Sequence, residues 1–172
     1  ELRLEDDPGT SSGAESVDAR AGQPRLKFKG KQRQLSEDID KRMKKIMAVH
    51  DAESDEERER LEEEARVSNI RAVLGPPGTG KTAVINAKIR KWKAKGARIL
   101  LALPTGQLAS RMRAVHPDVD VDTCAGAFLF HRELTEALPI LTQYDMVVVD
   151  EISMLSKDNW DRLVAMWLAA DR

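Results

Sequence analysis

Cysteine is almost absent from this chain of 172 residues. The single Cys124 has no second thiol to pair with, which excludes an internal disulfide framework. An excess of either charge is lacking too: 28 lysines and arginines stand against 29 aspartates and glutamates, for a formal charge of -1. That balance excludes a basic whole-chain signature of the histone or ribosomal kind, so any contact with nucleic acid has to be local. No apolar run approaches the roughly 20 residues that cross a bilayer, and no secretory series of basic, apolar and small residues opens the chain. These absences point to a soluble intracellular protein with no membrane partner. The chain opens at Glu1 rather than at methionine. It closes at Arg172, just after the helical stripe Trp160, Leu163, Val164, Trp167 and Leu168, whose apolar face needs a surface to cover. Both ends carry the expectation of a piece of a longer, processed protein. At 41% hydrophobic, the length suffices for one folded domain with a core plus an appendage, and is too short for two large lobes.

Composition divides the chain in three. Glu1 to Pro24 mixes Asp, Glu, Gly, Ser and Pro with few large apolar groups, too few to offset chain entropy, so residues 1–35 are expected to be disordered or linker. Within them Arg25, Lys27, Lys29, Lys31 and Arg33 read as a solvated linker, with a targeting signal or a phosphate-contacting arm as the alternatives. Residues 36–68 read as a charged helical extension. Ile39, Met43, Ile46, Met47 and His50 fall at helical spacing behind Ser36 as N-cap. A second helix is expected from Ser54, with Glu57 completing a capping box and Arg58 reaching Glu62, to about Val67. Its Glu-rich surface reads as a solvated face or as an interaction helix. His50 stands without the partners a metal site needs.

From residue 69 to 172 the pattern alternates. Ile70–Leu74 is a short apolar run closed by glycine, a buried strand. A helix is expected over Lys81–Lys95 with Ile85, Ile89 and Trp92 on one face and Gly96 as its stop. Strand Arg98–Leu103, helix Gly106–Val115, extended Val119–Val121, helix Cys124–Ala137 with Phe128, Leu129 and Leu134 as core, and strand Met146–Val149 follow. Such alternation implies an α/β fold, a parallel sheet with helices on both faces that binds ligands at the carboxyl ends of its strands.

The motifs fall at those ends. GPPGTGKT, Gly75–Thr82, has the phosphate-loop spacing, with a strand before it and a helix after. Gly75, Gly78 and Gly80 can take backbone angles closed to other residues, which turns successive N–H groups inward onto phosphates, while Pro76 and Pro77 stiffen the loop around Thr79. Lys81 brings a mobile charge to the β and γ phosphates of ATP, and the Thr82 hydroxyl is placed to ligate magnesium. In MVVVDEIS, Met146–Ser153, an apolar strand ends in two carboxylates. Asp150 would hold Mg2+ directly or through water, and Glu151 would orient or deprotonate the attacking water. Lys81, Asp150 and Glu151 are thus the candidate catalytic residues. Between the two motifs, ALPTGQLASRM (Ala102–Met112) and DTCAGAF (Asp122–Phe128) are ambiguous alone, since Thr105 and Thr123 can cap helices or touch phosphates.

In this order, GPPGTGKT, ALPTGQLASRM, DTCAGAF and VVVDEISML resemble motifs I, Ia, Ib and II of superfamily 1 helicases of the Pif type, a family related to RecD. The DEIS form of motif II followed by Met154, and the P-T-G of motif Ia, favour that type over AAA+ ATPases and Upf-type RNA helicases, which share motif I. The resemblance covers roughly Ile70 to Leu155. It implies a RecA-like P-loop lobe and ATP-dependent, 5′ to 3′ unwinding of DNA, in repair and recombination and in a nucleus or other DNA-containing compartment. It also implies single-stranded DNA as partner, its backbone contacted by Thr105 and Thr123. Ala125 stands where the family has a histidine. Motifs III to VI, and the second lobe they build, lie outside this chain, so it is expected to bind nucleotide without unwinding. The competing readings are an AAA+ type ATPase working as a ring, and a non-catalytic nucleotide-binding or interaction module.

Overall fold

The computed structural model describes residues 28–65, 73–76 and 78–170, with the backbone of three short strands, β1 (Leu2–Arg3), β2 (Ser16–Val17) and β3 (Pro24–Arg25). Helices α1 (Gly30–His50) and α2 (Asp55–Ala65) precede β4 (Val73–Leu74). Next come α3 (Lys81–Lys93), β5 (Ile99–Leu103), α4 (Gly106–Val115), β6 (Asp120–Thr123) and α5 (Cys124–Ala127). Then α6 (Leu134–Thr142), β7 (Met146–Val149), a 3-10 turn (Ile152–Met154) and α7 (Lys157–Ala169) complete the order.

The sheet explains the apolar runs. β5 lies between β6 and β7 and is parallel to both, pairing Leu103 with Thr123 and Ala102 with Val149. All five β5 residues are buried because both faces are covered. Ile99, Leu101 and Leu103 pack with Ile89 and Trp92 of α3, Met43 of α1 and Ala109 of α4. Leu100 and Ala102, one residue out of phase, pack with Cys124, Phe128, Ala137, Leu163 and Met166. Met146 and Val148 join the first core and Val147 and Val149 the second, so β7 sits between the same two layers. This is the expected α/β arrangement.

Several boundaries differ from the sequence reading. α1 begins at Gly30, and Ser36, expected as its N-cap, lies buried within it. The helix starts early because Leu35, only 1% exposed, packs with Val84 of α3, extending the stripe of Ile39 and Met43 by one turn. Residues 30–35, expected as linker, belong to α1. The rest of that segment lies outside the described residues, except where β1 pairs with β4 and β2 with β3. β4 is the described part of the Ile70–Leu74 strand and joins β1 rather than the three-stranded sheet. Half of the capping box forms, with the Glu57 N–H donating to the Ser54 hydroxyl at 3.1 Å, while the Glu57 carboxylate accepts from the N–H of Glu53, one residue before the cap, at 3.2 Å. Arg58 pairs with Asp55 at 2.9 Å rather than with Glu62, one turn back instead of one forward. The single helix expected over Cys124–Ala137 is two. Leu129, at φ 47°, leaves the helical region, and the chain re-enters a helix only at Leu134. On α7, Leu163 and Met166 are buried while Trp160 and Leu168 stay exposed.

Asp40 ties α1 to α3. Its carboxylate accepts from Lys88 at 2.8 Å, Lys91 at 2.6 Å and the Trp92 indole at 2.9 Å. Partial burial pushes its pKa up, but the three donors outweigh that and hold it below the ordinary carboxylate range. At the other end of α1, His50 lies 2.9 Å from Asp145, just before β7. Asp145 also accepts from the Arg98 backbone at 2.8 Å and its guanidinium at 3.1 Å. Its pKa too is lowered, its burial opposed chiefly by the bonds from Arg98.

Candidate nucleotide site

The loop from Gly75 to Thr82 joins β4 to α3, and its shape depends on two glycines in the left-handed region, Gly78 at φ 86° and Gly80 at φ 74°. Gly80 is the N-cap of α3 and brings no side-chain cap, so the first N–H groups of the helix remain available to an anion, at the end where its dipole is positive. Thr79 is 8% exposed and ties the loop internally, its hydroxyl donating to the Pro76 carbonyl at 2.9 Å. The Lys81 ammonium curls back on the same loop, 2.6 Å from the Gly75 carbonyl and 2.9 Å from that of Pro76. Those are weaker acceptors than phosphate oxygens, which Lys81 can reach by rotating its flexible stem. Pro77, expected in the same loop, lies outside the described residues.

The two acidic candidates stand at the end of β7. The Asp150 backbone N–H donates to the Ala102 carbonyl of β5 at 3.2 Å, fixing the turn to the central strand. From there Asp150 Oδ2 comes within 3.5 Å of the Thr82 hydroxyl. That is long for a hydrogen bond and wider by about half an ångström than the roughly 3 Å between adjacent ligands of an octahedral ion with bonds of about 2.1 Å. A hydroxyl and a carboxylate are hard oxygen donors of the kind magnesium takes, so these residues fit the ion. Among the described residues no three of His, Cys, Asp and Glu cluster as a metal site. Magnesium uses one or two protein carboxylates and completes its shell with phosphate and water. Glu151 is exposed and adopts φ 53°, ψ 37°, a left-handed conformation costly for a residue with a Cβ. The strained residue directly follows the metal candidate, and its N–H donates to Asp150 Oδ1 at 2.9 Å.

Thr105 and Thr123 are both helix caps. Thr105 Oγ1 accepts from the Leu108 N–H at 3.3 Å and Thr123 Oγ1 from the Gly126 N–H at 3.1 Å. Thr105 follows β5 and Thr123 ends the neighbouring parallel strand β6, so both lie at the same carboxyl edge of the sheet as Asp150.

Gly75, Lys81, Thr82, Asp150 and Glu151 line one end of a trough of about 1520 Å³ that continues between α1, β7 and α7. One residue near the loop escaped the sequence reading. Gln32 of α1 donates its side-chain amide to the Thr79 carbonyl at 2.7 Å. A glutamine in a charged stretch carries no signal of such a contact, which depends on how α1 packs on α3.

Residues 57–172 match a family model described as an AAA domain. The chain is similar to a protein of Trypanosoma brucei brucei (strain 927/4 GUTat10.1) named ATP-dependent DNA helicase PIF1. The two are 28% identical over 114 residues, which cover 63% of this chain and 11% of that protein. The chain therefore spans a small part of that relative's length. No solved structure matches it.

Proposed function

The chain belongs to the AAA-domain family, and from that membership we propose that it is the first, RecA-like motor lobe of an ATP-dependent DNA helicase of the Pif type. The observation that carries the reading is the approach of Thr82 to Asp150 beside a phosphate loop that carries Lys81. The loop N–H groups and Lys81 bind the β and γ phosphates of ATP. Thr82 and Asp150 would hold magnesium, which when bound would neutralise charge on those phosphates. Glu151 orients the attacking water or takes its proton. Thr105 and Thr123, on the same edge, contact the backbone of single-stranded DNA, and a second lobe completes the motor. ATP then closes the two lobes on the strand and hydrolysis reopens them, in the 5′ to 3′ direction. On this reading the protein works in repair and recombination, in a compartment that holds DNA.

Fluorescent-ATP binding with magnesium tests the reading, for the chain and for Lys81→Ala, each with and without single-stranded oligonucleotide. Loss of binding in the variant and tighter binding with DNA support the helicase lobe. Unchanged binding in Lys81→Ala overturns the nucleotide site, and lysine-dependent binding that ignores DNA leaves an ATPase without the helicase. The family description favours one second reading, an AAA+ type ATPase acting through a ring of copies. Sedimentation with ATP separates the two, since only that reading requires assembly into rings.

A further inference from the structure

Gln32 sits in the first turn of α1, remote in sequence from the loop, yet its Nε2 lies 2.7 Å from the Thr79 carbonyl. The contact is close enough that a Cβ built on Gly80 would come within 2.6 Å of the same nitrogen. The amide therefore rests against the peptide that joins Thr79 to Gly80.

That peptide is planar and trans, so its C=O and N–H point in opposite directions across one plane. A donor holding the Thr79 carbonyl on the α1 side presents the Gly80 N–H on the other, as an anion-binding loop requires. Without the donor the peptide can turn over at little cost, because Gly80 tolerates backbone angles of either sign. The donor is itself firmly mounted. Asp40, two turns further along α1, is clamped by Lys88, Lys91 and Trp92 of α3, and His50 at the helix end meets Asp145 ahead of β7.

We propose that Gln32 is a positioning residue of the phosphate loop, holding the Thr79–Gly80 peptide so that the Gly80 N–H faces the phosphates. The proposal rests on the reading of Gly75–Thr82 as a phosphate site. α1 thereby becomes part of the nucleotide site without touching nucleotide, and a shift of α1 changes the loop's affinity for phosphate.

The test uses the full chain, two probes and two variants. Gln32→Met keeps the length of the side chain and removes the donor, and Gln32→Glu keeps a polar side chain of the same length that cannot donate when ionised. The probes are fluorescent ATP and inorganic tripolyphosphate, both with magnesium. Each variant is expected to weaken both probes about tenfold, the size of one hydrogen bond to a charged acceptor. Hydrogen exchange in β5 should stay unchanged in both variants, which separates a local change in the loop from general destabilisation. Unchanged affinity for both probes overturns the proposal. So does a loss confined to ATP, which would put Gln32 on the nucleoside. Lys81→Ala guards the reading beneath: if it binds both probes as the parent does, the phosphate site fails and the proposal with it. If Lys81→Ala fails to bind while both Gln32 variants bind normally, only the role of Gln32 is lost.

Discussion

Thr82 Oγ1 and Asp150 Oδ2 stand 3.5 Å apart although 68 positions separate the residues in the chain. The fold brings them together by setting the start of α3 beside the end of β7. Asp150→Asn keeps an oxygen at this place and removes its charge. It is expected to raise the magnesium concentration needed for ATP binding by at least about tenfold. Magnesium titration with fluorescent ATP measures this, and an unchanged midpoint would remove Asp150 from the metal site.

Asp40→Ala should destabilise the chain by about 3 kcal/mol, because it leaves the buried Lys88 ammonium without its partner. Lys88 has only 8% of its side chain exposed, so water cannot replace the lost carboxylate. Arg33→Ala, which removes a fully solvated pair with Glu37, should leave the urea midpoint where it was. Equal effects of the two changes would show that burial does not govern these ion pairs.

Acid should unfold the protein partly through Asp40 and Asp145. Both have pKa values lowered in the folded state, so the folded chain binds fewer protons than the unfolded one as pH falls. Their contribution is fully present above the unfolded carboxylate value of about 3.9 and is lost as pH drops through their lower folded values. Urea midpoints between pH 6 and pH 3 should therefore fall more steeply for the parent than for Asp145→Asn. Parallel profiles would contradict this.

Much of this architecture was legible in the residues. The run Arg98–Leu103 announced a strand covered on both sides, found as Ile99–Leu103, and the spacing of Gly75, Gly80, Lys81 and Thr82 announced a loop that opens a helix. The start of α1 was not legible, because Leu35 becomes a core residue only once Val84 is folded against it. Nor was the break after α5. Phe128 and Leu129 read as one more turn of an apolar helix, but Phe128 is completely buried and the chain turns at Leu129 with a positive φ, a conformation that side-chain type does not announce. Gln32 is the plainest case. Its role depends on a contact across the loop, and such contacts leave no period in the sequence.

The caps Thr105 and Thr123 can be separated from a role at DNA by Thr105→Asp and Thr123→Asp. Aspartate caps a helix as well as threonine does, so melting temperatures should hold, whereas alanine at either place should cost about 1 kcal/mol. The added negative charge should weaken single-stranded oligonucleotide binding severalfold if either side chain meets the phosphodiester backbone. Full binding by both aspartate variants would leave the threonines as caps alone.

The parallel pairing of β5 with β6 and β7 also governs how the chain can assemble. No tight hairpin can make this sheet: Leu100 must wait for Asp120 and Ile99 for Met146 before either edge of the central strand is satisfied. During synthesis β5 therefore emerges first, with both edges unpaired and five apolar side chains uncovered. Folding is expected to be slow for a chain of this size, and the interval before β7 arrives is when it is most exposed to aggregation.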